Sequence, residues 1–297
     1  MPTRSDEPQV LSCEGRVAAP RARRSIIVSA DDFGLSHGVN TAIERAHRNG
    51  ILDTTSLMVA APAAADAVAR ARSLPHLHVG LHVVLVNGTP ALPPERVPDL
   101  VDDRGNFPTD LFAAGVRYFF HPHARAQLEA EIRAQFQAFA ATGLPLDHVN
   151  AQNHMHVHPT VLSLILRVGR DFGVRAIRIP YEPFGPSWES NHTQWNTRLG
   201  SAVFLAPWLS LMRRRIHAAG IATNDYVFGM NDTAHMGSER VVRILAHLPE
   251  GVSEMYFHPD EGNEELAALV DPRVREALAG SGAARTSFTE LAMERAG

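Results

Sequence analysis

The sequence predicts an α/β protein built on parallel strands, either an open sheet or a (β/α) barrel. Short apolar runs alternate with amphipathic segments at least five times along the chain. Polar side chains directly follow several of these runs, as at Asp31, Asp32, His82 and His258. Because sites in such folds lie at the carboxyl ends of the strands, we expect these distant positions to converge.

The composition narrows the class of protein. The 297 residues are 45% hydrophobic, which suits one large domain or two smaller ones. A formal charge of −4 gives no reason to expect nucleic-acid binding or strong attraction to anionic lipid. Cys13 is the only cysteine, so an intrachain disulfide and a Cys-based metal site are excluded. Sixteen histidines stand out, and a metal would use imidazole, carboxylate or amide ligands.

The first 24 residues contain Pro, Ser, Glu and several Arg, but no apolar run of signal-peptide length. We therefore predict a disordered extension over 1–24 and a folded domain over 25–297. No stretch of about 18 apolar residues occurs, so no transmembrane segment is predicted. The expected location is the cytoplasm, and peripheral contact with the inner membrane face is left open.

The first predicted strand begins at Ile26 and runs into two adjacent carboxylates, Asp31 and Asp32, before a turn at Gly34. Two like charges at a buried strand end are costly unless a metal ion or a shared proton compensates them. The alternative is a solvated turn that caps the next helix.

The next elements follow from caps, breakers and periodicity. Ser36 can cap a helix that ends at Asn49-Gly50, and prolines at 62 and 75 bound an Ala-rich helix. Alternation predicts a strand that places His76, His78 and His82 on one side. The predicted order is helix 37–49, strand 51–60, helix 63–74, strand 76–85, loop 87–110 and amphipathic helix 124–142.

The second half continues the alternation. A histidine-rich run over 148–158 leads into a helix that Thr160 can cap. If this run is extended, its polar residues share one side: His148, Asn150, Gln152, His154, His156 and His158. A polar edge strand is the alternative. The remaining predictions are helix 160–172, strand 174–179, strand 224–230, helix 238–248, strand 253–257 and helix 264–279.

The apolar segment 202–212, which three arginines follow, has two interpretations. It is a buried helix with a basic C-terminal end, or a lipid-facing element that helps a glycolipid reach the site.

Carboxylates and histidines in this pattern suit a hydrolytic metal site. A metal-bound water can lose its proton to a second carboxylate, and a distant histidine can protonate the leaving group. Asp32, Asp31 and His258 fit the three roles of ligand, base and acid by residue type.

Four motifs in order resemble the YdjC-like (ChbG) carbohydrate deacetylases. They are Ala-Asp31-Asp32-Phe-Gly34-Leu-Ser, Gly80-Leu-His82, the run from His148 to Pro159, and Phe-His258-Pro. Within that family the chain looks most like the hopanoid-biosynthesis-associated branch (HpnK), through segments such as Arg178-Ile-Pro-Tyr-Glu182-Pro and Asn224-Asp225-x-Val-Phe-Gly229.

The resemblance implies a distorted (β/α) barrel in a single domain and a metal-dependent hydrolase. The reaction would remove an N-acetyl group from an N-acetylglucosamine-type sugar, carried on a hopanoid glycolipid. Asp32 and His82 would be metal ligands, Asp31 the base, His258 an acid or substrate contact, and Arg178 a residue that orients the base or binds substrate. Further substrate contacts would be His156, Asn150 and Glu182. One divalent ion, magnesium or zinc, is expected, and a homodimer is left open.

The chain departs from the family at Gln152, where a third ligand histidine is usual. A Gln carbonyl is a neutral ligand that zinc tolerates less well than magnesium does. Three interpretations remain: His154 replaces the missing histidine as the third ligand, Gln152 binds the metal weakly, or the metal site is impaired. The last alternative would give a sugar- or lipid-binding relative without catalysis. A hydrolase of an ester or cyclic amide is a third hypothesis.

Overall fold

The computed structural model describes residues 24–193 and 195–296. The extension predicted over 1–24 lies outside the described residues, except that Arg24 begins the first strand. The strands are β1 Arg24–Phe33, β2 Thr54–Leu57, β3 His78–Val83, β4 Val149–Ala151, β5 Tyr226–Phe228, β6 Gly251–Phe257 and β7 Ala284–Arg285.

The strands form one parallel sheet in the order β4-β3-β2-β1-β6-β5, and β7 pairs with the start of β1. Isolated parallel bridges join Val149 to Ile177 and Ala176 to Ala222, so irregular chain connects the two edges. The sheet therefore curls into an incomplete barrel. This confirms the prediction of a distorted (β/α) barrel in a single α/β domain.

The helices are α1 His37–Asn49, α2 Ala64–Arg72, α3 Leu111–Phe120, α4 Pro122–Ala141, α5 Pro159–Asp171, α6 Phe184–Ser190, α7 Trp195–Ala218, α8 Ser238–Ala246, α9 Glu264–Val270, α10 Pro272–Gly280 and α11 Phe288–Ala296. Ser36 caps α1, and its hydroxyl accepts a hydrogen bond from Val39 N, as predicted. Among the described residues, no helix is both long enough and apolar enough to cross a bilayer.

Two predicted elements are interrupted where side chains replace backbone hydrogen-bond partners. The predicted strand 174–179 is reduced to bridges. At its end Asn224 accepts a hydrogen bond from Ile179 N at 2.7 Å and donates one to Ile179 O at 2.9 Å. The predicted helix 264–279 is two helices, because Asp271 ends the first and caps the second, which begins at Pro272.

The condition that 148–158 is extended holds only as far as Ala151. The pairing of β3 with β4 ends at Val83 and Ala151, and the chain then forms a 3₁₀ turn over Gln152–Val157. Asn153 and His154 adopt left-handed backbone angles, with φ of 50° and 52°. The six polar residues therefore do not share one strand face.

The helix α4 buries a polar stripe as well as its predicted apolar one. Gln127, Glu131 and Gln135 follow one another at four-residue spacing and bond to the chain that leaves β3. Glu131 is fully buried and accepts hydrogen bonds from Ala91 N and Leu92 N. The amphipathic pattern of 124–142 predicts an exposed polar side, and the buried Glu131 departs from that prediction.

Candidate active site

A pocket of about 460 Å³ opens at the carboxyl ends of β1, β3, β4 and β6. It brings together residues that are far apart in the sequence, which is the convergence expected of a parallel α/β fold. Its lining consists of Asp31, Asp32, His82, Asn87, Leu111, Ala151, Gln152, Asn153, His154, Met230, Thr233, Tyr256 and His258.

Asp31 lies at the base of this pocket and is almost fully buried. Arg178 donates to both of its oxygens, with Nη1 to Oδ2 at 2.5 Å and Nη2 to Oδ1 at 3.0 Å. Ser56 and Asn150 each donate to Oδ1 at 2.9 Å. Burial alone would raise the pKa of Asp31, but Arg178 and the nearby His82 outweigh it and hold that pKa well below its usual range. Asp31 is therefore an ionised acceptor.

Arg178 is buried between two carboxylates beneath the pocket. Its Nε donates to both oxygens of Glu254 at 3.0 and 2.9 Å, and Nη2 donates to Glu254 Oε1 at 2.6 Å. Its guanidinium carbon lies 4.8 Å from the centre of the Tyr256 ring. Arg178 is absent from the pocket lining, so it contacts Asp31 from behind. Of its two predicted roles, this position suits orientation of the base.

His82 and Asp32 face each other at the pocket wall, with 3.4 Å between His82 Nε2 and Asp32 Oδ1. His82 Nδ1 lies 2.7 Å from Asn150 Oδ1 and 3.1 Å from Ser56 Oγ. In a neutral imidazole, an Nδ1 proton donated to Asn150 leaves the Nε2 lone pair facing Asp32. Burial lowers the pKa of His82, but Asp31 and Asp32 outweigh it and the pKa is raised.

Unusual backbone angles concentrate at this pocket. Among described residues other than glycine, five have positive φ, and four of these line the pocket. They are Asp32, Asn87, Asn153 and His154. Strained backbone of this kind persists where the surrounding structure imposes it, and it is frequent at functional sites.

Two residues were predicted as alternatives for the third metal ligand, Gln152 and His154, and both line the pocket. Gln152 Oε1 is buried in the pocket wall and has no hydrogen-bond partner among the described residues. His154 Nε2 lies 3.2 Å from the Tyr256 hydroxyl. Burial, with Arg178 nearby, lowers the pKa of His154 to about 3, so its imidazole is neutral.

The donor set at the pocket is consistent with a divalent ion, though not with one held by three strong ligands. Within 24–193 and 195–296 no three His, Cys, Asp or Glu side chains are grouped as a metal site. One carboxylate and one imidazole are available, together with two buried atoms that have no hydrogen-bond partner among the described residues, Gln152 Oε1 and His154 Nδ1. With Gln152 as the third ligand the set suits a hard ion such as magnesium better than zinc, and with His154 it suits zinc as well.

The remaining predicted residues occupy different places. His258 lines the pocket, with its ring centre 5.4 Å from that of Tyr256. Asn150, His156 and Glu182 are buried and absent from the lining. His156 Nε2 lies 3.1 Å from Arg178 O, and Glu182 accepts from Ser187 Oγ at 2.5 Å and Asn231 N at 2.9 Å. In this geometry all three support the site from outside the pocket.

Sequence reasoning missed four residues of the network: Ser29, Ser56, Glu254 and Tyr256. Glu254 is the one acidic residue of β6, and a carboxylate inside a buried strand is a signal for a buried cation. Tyr256 alternates with Glu254 on the same strand and so reaches the same side of the sheet. Ser56 carried no signal beyond its place in a polar β2.

The chain resembles known proteins along most of its length. Residues 25–280 match the family described as YdjC-like protein. A carbohydrate deacetylase of Geobacillus stearothermophilus is 30% identical over 274 residues, which are 90% of this chain and 98% of that protein. One from Brevibacillus brevis is 37% identical over 158 residues, 52% of this chain and 59% of that protein.

A solved structure shares the fold. A protein from Enterococcus faecalis V583, described as a candidate cellobiose-phosphate cleavage protein, superposes with a TM-score of 0.68 at 22% identity. The match covers 90% of this chain and 98% of that one. With the family match spanning 25–280, the chain belongs to the YdjC-like protein family.

Proposed function

We propose that the protein is a carbohydrate deacetylase, a hydrolase that cleaves the N-acetyl amide of an N-acetylglucosamine-type sugar and releases acetate. The observation that supports this proposal most strongly is a pair of carboxylates at one pocket. Arg178 keeps Asp31 ionised, and Asp32 faces His82 Nε2. The deacetylase relatives support this choice of reaction.

In this proposal Asp31 is the general base. Among the described residues its Oδ2 accepts a hydrogen bond only from Arg178, so it retains capacity to accept one from a water. Asp31 takes a proton from that water as the oxygen attacks the acetyl carbonyl. His258, at the same pocket, supplies a proton to the departing sugar amine.

Asp32 and His82 would hold one divalent metal ion, with Gln152 Oε1 as a neutral third ligand. A bound ion would polarise the acetyl carbonyl and lower the pKa of a nearby water. Asn150 fixes the His82 ring through Nδ1, which is the usual role of a second residue behind a ligating histidine. Magnesium is the better match to this donor set, and zinc is the alternative.

For the natural substrate we propose an N-acetylated amino sugar on a hopanoid lipid, on the strength of the sequence motifs at Arg178–Glu182 and Asn224–Gly229. The second candidate is a sugar- or lipid-binding protein without catalysis. It is motivated by Gln152, which supplies no charge to a metal.

The test is acetate release from an N-acetylglucosaminyl hopanoid and from a short N-acetylated sugar. Metal-free protein is reloaded separately with magnesium, zinc, manganese, cobalt or nickel. We expect release that depends on the added ion, and we expect Asp32→Ala to lower the amount of metal bound.

The variant Gln152→His separates the two candidates. If wild-type protein releases no acetate with any ion while Gln152→His does, the binding candidate replaces the deacetylase. If neither protein releases acetate from either substrate, the deacetylase proposal fails.

A further inference from the structure

One polar side chain of the pocket lining takes no part in the proposed proton transfers. Tyr256 lines the pocket and is 3% exposed. Among the described residues of the lining, it is the only buried one whose side chain carries a hydroxyl or amide donor. The others are half-buried or exposed, at Asn87, Gln152, Asn153 and Thr233. A donor shielded from water interacts more strongly with a developing charge than an exposed donor does.

The ring of Tyr256 is held on several sides, so its hydroxyl has a fixed position. The guanidinium carbon of Arg178 lies over the ring, 4.8 Å from its centre. The rings of His154 and His258 meet it edge-on, at 5.5 and 5.4 Å between ring centres. Gly229, with a φ of 112°, makes room on another side, because a Cβ there would lie 2.6 Å from Tyr256 O and 3.4 Å from the ring. A donor fixed in advance costs no reorganisation when the reaction occurs.

The hydroxyl borders the place where the acetyl amide has to lie. In the proposed reaction that amide contacts Asp31, through the attacking water, and His258. His258 is in ring contact with Tyr256, and the guanidinium over the Tyr256 ring also donates to Asp31 Oδ2. Strands β1 and β6 pair in parallel here, with Ser29 opposite Tyr256. Tyr256 is therefore next to both the proposed base and the proposed acid.

The present partners of the hydroxyl hold it weakly. Tyr256 Oη lies 3.2 Å from His154 Nε2 and 3.4 Å from Thr233 Oγ1. Both distances exceed the roughly 2.7–2.8 Å that is typical of a hydroxyl hydrogen bond. Burial raises the pKa of Tyr256, so the phenol stays neutral and keeps its proton for donation. The hydroxyl can therefore turn to a bound substrate at little cost.

We propose that the Tyr256 hydroxyl donates a hydrogen bond to the acetyl oxygen of the substrate as that oxygen gains negative charge. The proposal rests on the deacetylase function, to which it adds a catalytic residue. When the water oxygen bonds to the acetyl carbon, the π electrons of the carbonyl move to its oxygen, and they return when the carbon–nitrogen bond breaks. Asp31 takes the proton of the water and His258 supplies the proton of the amine, so Tyr256 keeps its own. The hydrogen bond is strongest to the charged oxygen, and it therefore lowers the barrier more than it tightens substrate binding.

The test is Tyr256→Phe, which removes the hydroxyl and keeps the ring. We expect kcat for acetate release to fall by about 10²–10³-fold, the usual loss for one such donor, with KM within about twofold of wild type. Circular dichroism, Tm and the amount of bound metal should stay as in wild type, because the hydroxyl is weakly held. Tyr226→Phe is the matched control. Tyr226, on β5, is half-buried beside Tyr181 and absent from the pocket lining, so its variant should turn over like wild type.

A second measurement does not depend on turnover. A methylphosphonamidate of glucosamine carries tetrahedral, negatively charged oxygens in place of the planar acetyl group. Isothermal titration calorimetry should show that Tyr256→Phe binds it at least about tenfold more weakly than wild type does, because a hydrogen bond to a charged group is lost. N-acetylglucosamine should bind both proteins alike. A purely structural role of Tyr256 would change the affinity for both ligands equally.

Wild-type kcat in Tyr256→Phe, a loss confined to KM, or equal effects on the two ligands would overturn the role of Tyr256. The deacetylase would then stand without it. If wild type releases no acetate from the N-acetylglucosaminyl hopanoid or the short sugar with any ion, the deacetylase itself fails, and the role of Tyr256 fails with it.

Discussion

At the scale of single residues, the site depends on a chain of charges that runs from Glu254 through Arg178 to Asp31. All three are buried, and both carboxylates form ion pairs with the same guanidinium. A buried arginine between two carboxylates fixes both in place, since neither can turn away without leaving a charge unpaired. This arrangement orients Asp31 towards the pocket.

Replacing Asp31 by Asn should remove the proposed base while keeping the shape of the side chain. We expect kcat to fall by about 10²–10⁴-fold, the usual contribution of a general base, with the amount of bound metal unchanged. Acetate release and metal analysis would measure the two effects. Asp53→Asn is the control, because Asp53 pairs with Arg285 at the other end of the sheet. Wild-type turnover by Asp31→Asn would remove Asp31 from the mechanism.

Replacing Arg178 by Met should destabilise the fold by about 3–5 kcal/mol, because two buried carboxylates lose their shared cation. Arg178→Lys should recover only part of this, since an ammonium cannot fork onto both carboxylates. Urea unfolding would measure the differences. In the control Arg133→Met an exposed pair with Asp171 is lost, which should cost at most about 1 kcal/mol. An Arg178→Met variant as stable as Arg133→Met would contradict this account.

The sequence predicted the pocket residues that follow strands, because the carboxyl ends of parallel strands meet. Asp31, Asp32, His82 and His258 do line one pocket. The sequence could not predict that His156 lies outside the pocket. Two left-handed residues of a 3₁₀ turn precede it and change the direction of every later side chain. Period-two reasoning requires an extended chain, and nothing in the sequence marks the residue at which that chain ends.

At the scale of elements, α4 anchors the long segment between β3 and α3. The apolar periodicity of α4 predicted the side that faces the core. The partly or fully buried polar residues Gln127, Glu131 and Gln135 repeat every four residues, as the polar residues on an exposed side of a helix would. Hydrophobicity alone does not separate the two. Glu131 satisfies two backbone N–H groups of the loop and also accepts from Gln135. The loop runs close to the pocket, which Asn87 lines.

Glu131→Ala should therefore loosen this loop. Ala91 N and Leu92 N would lose their acceptor, at about 1–3 kcal/mol for each buried donor left unpaired. Hydrogen exchange of these two amides should speed up by at least about tenfold. Glu129→Ala is the matched control two residues away, because Glu129 pairs at the surface with Arg167. Equal protection of the loop in both variants would show that other contacts hold it.

At the scale of the whole molecule, the late elements β7 and α11 are joined to the barrel by contacts that no local sequence pattern predicts. β7 adds to the start of β1, and α11 packs below the sheet, where Phe288 stacks on His148 at 4.4 Å between ring centres. Alternation of strands and helices predicted an open parallel sheet or a barrel, and the family resemblance implied the barrel. Neither carries information about which late segment returns to which early strand. Asp147, which lies in the loop just before β4, fixes that return by accepting two hydrogen bonds from Thr289 of α11.

Asp147 is buried and accepts hydrogen bonds from Thr289 N at 2.8 Å and Thr289 Oγ1 at 2.7 Å, with His148 Nδ1 at 2.9 Å. Burial alone would raise the pKa of Asp147, but these bonds and the charge of His148 outweigh it and lower that pKa. A carboxyl whose pKa is lower in the folded chain stabilises the fold above its unfolded pKa, about 3.9. That stabilisation is lost as the pH falls through the folded pKa.

Asp147→Asn should consequently cost about 1.5–3 kcal/mol of unfolding free energy near pH 7, the range for hydrogen bonds to a charged group. The difference from wild type should shrink as the pH falls below about 4, where the carboxyl of the unfolded chain begins to protonate, and it should be lost once the pH is below the folded pKa. Urea unfolding at a series of pH values would measure it. Asp171→Asn serves as the control, because Asp171 is an exposed partner of Arg133 and should show little difference at any pH. If the free-energy difference between Asp147→Asn and wild type is the same at pH 7 and pH 3, the effect comes from the shape of the side chain and not from its charge. The negative charge of Asp147 would then play no part in holding α11 against the barrel.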